Sequence, residues 1–87
     1  MPEICRFKGI RITMYAGTRE HPPPHFHARH GDLKAAIDIR TGRMIEGSLP
    51  ASALKLVSQW CVLHRAELEE NWRLARAERE LNPIAPL

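Results

Sequence analysis

Two periodicities divide the chain near Pro50. Before it, apolar residues alternate. In the segment from Gly9 to Tyr15, Ile10, Ile12 and Met14 face one way while Arg11, Thr13 and Tyr15 face the other, as a half-buried strand requires. Ala16-Gly17-Thr18 interrupts that strand, and three consecutive prolines follow. Residues 25–47, HFHARHGDLKAAIDIRTGRMIEG, read as three short strands joined by turns at Gly31-Asp32 and Thr41-Gly42. After Pro50 the period lengthens to that of a helix. Leu54, Val57, Cys61, His64, Leu68, Trp72 and Ala75 recur every third or fourth position, with Leu56, Trp60 and Leu63 widening the stripe. Pro50 suits a first helical turn, and Asn82-Pro83 ends the pattern. The prediction is an α+β protein of one domain. An antiparallel sheet of about four strands lies in residues 1–49, one long helix or two consecutive helices in 50–82 cover one sheet face, and 83–87 form a tail.

A continuous helix over residues 51–80 would be about 45 Å long. A compact chain of this length has a radius of gyration of about 12 Å and is roughly 31 Å across. The helix therefore breaks near His64-Arg65, or its second half projects and forms a homodimer with another copy. So small a domain buries only about 60–65% of its unfolded surface, so a dimer would add needed burial. On the exposed side, Glu69 with Arg73 and Arg76 with Glu80 fall at i,i+4, each pair contributing about 0.3–0.5 kcal/mol.

Turn chemistry sets the register. Gly31-Asp32 fits a two-residue type II′ loop, which pairs His30 with Leu33. Phe26, Ala28 and His30 then share the core face with Leu33, Ala35, Ile37 and Ile39. His25, His27 and Arg29 share the opposite face with Lys34, Ala36 and Asp38, His25 lying across from Asp38. A three-residue glycine-bulge turn at Thr41-Gly42 would add Ile45 to the core and put Glu46 beside Ala36. A one-residue slip would expose the isoleucines.

With 44% apolar and 26% charged residues the composition is that of a soluble globular protein. No apolar run approaches the roughly 18 residues that span a bilayer. MPEICRFKG carries no hydrophobic export signal, so a cytoplasmic location is expected, with Cys5 and Cys61 as reduced, buried hydrophobes. The net charge of +3 lies wholly in residues 1–50, which hold eight basic and five acidic residues against five of each afterwards. That bias favours anionic partners such as nucleic acid.

The basic half also contains HPPPHFHARH at residues 21–30. His25 and His27 stand about 6.6–7 Å apart on one side of a strand, close enough to share zinc or another divalent metal if Asp38 or Glu46 completes the set. Three trans prolines would keep His21 about 12 Å from His25. The alternative chemistry is acid/base. A histidine opposite Asp38 has its tautomer set, and Arg11, Arg29, Lys34 and Arg40 supply cations for a phosphate. That equipment suffices for metal-independent, ribonuclease-like cleavage, and no cofactor is favoured. In the plainest reading the prolines stiffen a loop and the histidines are ordinary polar strand residues. His64, on the apolar stripe, is expected to be structural and to bond a backbone group, and Trp60 and Trp72 to be core or interface residues.

Several stretches together resemble a known bacterial family. They are ICRFKGIRITMY at 4–15, HPPPHFHARHG at 21–31, AAIDI at 35–39, GSLP at 47–50, the run from Trp60 to Trp72, and the closing APL. These are similar to members of the family called domain of unknown function 4160. The resemblance implies the toxin of a type II toxin–antitoxin pair, with a small antitoxin-like protein as partner. Three readings stay open: a toxin acting on RNA or translation through His25, His27 and Asp38; a metal-binding module using His25, His27 and a carboxylate such as Glu46; or a non-catalytic interaction protein.

Overall fold

The computed structural model describes residues 3–15 and 22–87. Five strands form one antiparallel meander in chain order: β1 (Glu3–Phe7), β2 (Ile10–Thr13), β3 (His25–His30), β4 (Leu33–Asp38) and β5 (Met44–Gly47). Two helices follow, α1 (Ala51–Leu63) and α2 (Arg65–Arg76). The α+β architecture matches the prediction, with one strand more than the four expected. That strand is β1, whose register shifts between Glu3 and Cys5, so that neighbouring Ile4 and Cys5 are both buried. A bulge of this kind erases the alternation by which a strand is read from sequence. Lys8 and Gly9, both at positive φ (48° and 78°), make the tight turn into β2, as a type I′ hairpin requires.

The β3–β4 hairpin has the register its turn dictates, from His30 opposite Leu33 to His25 opposite Asp38. Gly31 takes the positive φ of 60° that a type II′ turn needs at its first central position. The next hairpin departs from expectation. Its irregularity falls inside the ladder, between Ala36 and Ile37, and Ile37 pairs with Met44 while Ala36 pairs with Glu46. Ile45 is therefore the extra residue, 47% exposed, and does not join the core. Gly47 sits so close to β4 that a Cβ there would collide with the Lys34 carbonyl oxygen.

The helix breaks at His64 (φ −114°, ψ 26°), and α2 buries Leu68 and Ala75. α2 stops at Arg76, earlier than Asn82-Pro83. Glu78 takes the left-handed conformation (φ 56°), its N–H bonds the Ala75 carbonyl, and the Arg79 N–H bonds that of Leu74. This is a Schellman ending with glutamate in the usual glycine position, so no glycine announces it. Glu80 thus lies past the helix, and Arg73 forks onto Glu70 in place of Glu69.

Residues 83–87 are more than a tail. The buried Asn71 donates to the Asn82 carbonyl (2.8 Å) and accepts from the Asn82 N–H (2.9 Å). The chain then runs beside β1, where the Ile84 N–H bonds the Ile4 carbonyl and Ile84 is buried. Trp60 is wholly buried between Phe7 and Phe26, its ring centroid 5.6 Å from each, and its indole N–H donates to the Ala85 carbonyl. Around it lie Ile10, Ile12, Met14, Ile37, Ile39 and Val57, all but inaccessible to solvent. Cys5 and Cys61 are free and buried, and desolvation pushes the Cys61 thiol up to about 11. Among the described residues no helix is long and apolar enough to cross a membrane.

Candidate functional site

With the helices on one side of the sheet, the other carries the polar positions of each strand. Register arranges them in cross-strand rows. Arg6, Arg11, Arg29 and Lys34 stand in line on β1 to β4. One step along, Glu3, Thr13, His27, Ala36 and Glu46 form a second row. His25 and Asp38 belong to a third. Like charges directly opposite one another destabilise a sheet, so the first row is a local cost of the fold.

One carboxylate answers part of it. Glu3 Oε1 accepts from Arg6 Nη2 (2.8 Å) and from Arg11 Nε (2.9 Å), and these bonds hold Glu3 below the usual carboxylate range. Among the described residues, Arg29 and Lys34 have no ion-pair or side-chain hydrogen-bond partner, and both are exposed. They line a cleft with Arg11, Thr13, Tyr15 and His27 that leaves about 60 Å³, room for a phosphate-sized group.

His27 stands at the centre of the face. On one side it borders the cationic cleft. On the other it lines a shallow depression of about 250 Å³ with His25, Ala36, Ile45, Glu46 and the Pro22-Pro23 entry to β3. Its ring is 4.6 Å from that of Tyr15 and 5.3 Å from that of His25. His25 in turn meets half-buried Trp72 of α2 at 5.2 Å, and Arg76 lies over the Trp72 ring at 5.7 Å. The Nδ1–H of His25 donates to the Pro23 carbonyl (2.9 Å), which leaves Nε2 as the basic nitrogen of the neutral ring.

The structure brings together His25, His27, Arg11, Arg29 and Lys34 and sets Asp38, Arg40 and Glu46 apart from them. Asp38 is opposite His25 in register, but its carboxylate turns into its own loop, where Oδ1 accepts from the Arg40 N–H (2.7 Å) and the Thr41 N–H (3.3 Å). Arg40 lies in the turn beyond the far end of β4, past Asp38, which is itself about 13 Å along the strand from Lys34. Glu46 shares a row with His27 but is two strands away across Ala36. No group of three His, Cys, Asp or Glu side chains suited to a metal converges among the described residues. His21 lies outside those residues, and the Pro22-Pro23 bond is cis, in place of the all-trans run expected.

His64 occupies the break between the helices and donates from Nδ1 to the Glu67 carboxylate (2.6 Å) instead of to a backbone group, leaving Nε2 buried without a partner. Sequence reasoning missed Arg6 and Glu3 because β1 was not recognised. The K-G turn and the alternation of Cys5, Arg6 and Phe7 were the available signals. Tyr15 and Trp72 were missed as neighbours of the histidines because their approach depends on tertiary packing.

A five-stranded meander backed by two helices, with rings and cations on its open face, defines a small α+β protein with one chemically distinctive surface. The sequence profile of the family described as domain of unknown function DUF4160 matches residues 9–73, and the chain belongs to that family. No curated protein and no solved structure matches it.

Proposed function

We propose that this protein acts on RNA as the toxin of a two-protein module in the bacterial cytoplasm, and that the open sheet face is where the RNA sits. The observation that carries the reading is His27 beside Arg29 and Lys34, an imidazole at the edge of a phosphate-sized cleft in which those two of the three cations lack carboxylate partners among the described residues. Exposed cations draw a polyanion to the face, and an imidazole can both accept and donate a proton.

The chemistry that suits two adjacent imidazoles is transesterification of RNA. One takes the proton from a ribose 2′-hydroxyl as that oxygen bonds to the neighbouring phosphorus. The other, protonated beforehand, gives its proton to the 5′ oxygen as the P–O bond breaks, leaving a 2′,3′-cyclic phosphate and a 5′-hydroxyl. Arg29 and Lys34 stabilise the charge that grows on the phosphoryl oxygens. The partner is a small antitoxin-like protein that relieves the effect.

The test is growth and bulk protein synthesis after induction in a bacterial host, comparing the wild type with a folded His25→Ala/His27→Ala variant. The expected result is arrest by the wild type alone, with RNA fragments ending in cyclic phosphate. Arrest by both proteins removes the histidines from the mechanism, and arrest by neither overturns the toxin assignment. Stoichiometric metal in purified protein, lost in the double variant, would replace this chemistry with a metal site at His25, His27 and Glu46.

A further inference from the structure

The cation row says more about the ligand than that it is an anion. Adjacent strands lie about 4.7–4.9 Å apart, so Arg6, Arg11, Arg29 and Lys34 span about 14 Å at right angles to the strands. Glu3 answers this charge at one end only, through Arg6 and Arg11. A single phosphate in the cleft reaches its neighbours but not the length of the row. A linear polyanion laid along the row neutralises it throughout.

The second row decides what kind of polyanion. About 6.6–7 Å along the strands from the cations come Thr13, His27 and Ala36, with the Tyr15 ring against His27 and the His25 ring beyond it. Groups projecting sideways from a backbone held on the cations meet polar and aromatic side chains. In a duplex the bases are stacked and paired inside, and a protein reads mainly phosphates, 2′-hydroxyls and shape. In a single strand the bases are free to turn onto rings, and a basic groove beside aromatic side chains is the usual means of holding one.

Resting on the RNA reading of the same face, we propose that the ligand is single-stranded RNA crossing the β-strands at right angles. Its phosphates follow Arg11, Arg29 and Lys34, and its bases lie over Tyr15. Three phosphate contacts predict that log K falls with log[salt] at a slope of about −2, since each contact to a single strand contributes about −0.7.

The experiment measures fluorescence anisotropy of a labelled 12-nucleotide RNA, alone and annealed to its complement, across a sodium chloride series. The expected result is at least tenfold tighter binding of the single strand. Arg29→Gln and Lys34→Gln should each flatten the slope by about 0.7. Tyr15→Leu should weaken the single strand several-fold without altering the slope, and Lys55→Gln, on exposed α1 surface, should change neither. Equal binding of both forms, or slopes unmoved by the two row variants, overturns this geometry while leaving the RNA reading intact. No binding of either form overturns both.

Discussion

Asn71→Ala tests whether the C-terminal segment is a structural part of the domain. Asn71 is fully buried, and its amide makes two hydrogen bonds to the backbone of Asn82. Alanine removes both partners at once. If the segment stays in place, two part-buried hydrogen bonds are lost at about 0.5–1.5 kcal/mol each. If it peels away to reach water, the burial of Ile84 is lost, about 1.5–3 kcal/mol, together with the bonds from Ile84 to Ile4 and from Trp60 to Ala85. The first route costs about 1–3 kcal/mol and the second more. At about 4–8 °C per kcal/mol for a domain of this size, Tm falls by at least roughly 4–8 °C. Urea unfolding followed by tryptophan fluorescence reads the energy, and hydrogen exchange at the Ile84 amide reads the mechanism. A loss under about 0.5 kcal/mol with Ile84 still protected would refute the argument, since the clamp would then hold nothing.

Two further outcomes follow from single positions. Gly47→Ala places a methyl group against the Lys34 carbonyl at φ 86°, a region that alanine avoids, so β5 should detach at a cost of about 2 kcal/mol or more, seen as lost amide protection from Met44 to Gly47. The Glu3 carboxyl, held low by hydrogen bonds from Arg6 and Arg11, should titrate below the usual glutamate range in a carboxyl-detected NMR titration, and Arg11→Gln should raise it. Because the folded protein binds this proton less readily than the unfolded chain, the stabilisation is present above the ordinary glutamate pKa and is lost as pH falls through the lowered one.

Much of the architecture was legible because it depends on neighbours in sequence. The change of period at Pro50 separates sheet from helix, and Gly31-Asp32 alone sets the register that puts His25, His27 and Arg29 opposite Asp38, Ala36 and Lys34. Length left two outcomes, a break near His64 or a projecting second half, and in the folded chain, 33 Å in its longest dimension, the helix breaks. Local signals failed where a bulge removed the alternation, in β1 and at Ile45, and where Glu78 ended α2 in a conformation usually left to glycine.

The candidate site divides along the same line. Sequence alone determined that two histidines and two cations share the polar side of one hairpin, because side-chain alternation in a strand and a two-residue turn leave little freedom. Which groups those side chains meet was decided by tertiary structure. The row of four cations needs the lateral order of β1 to β4, and the His25 ring contact needs α2 placed so that Trp72 reaches it. The Asp38 carboxylate had two candidate partners, the histidine across the ladder and the N–H groups of its own turn, and it took the turn. Spacing along the chain specifies which face a residue occupies; a side chain's partner is settled by competition among all the groups that packing brings within reach, and most of those come from elsewhere in the sequence.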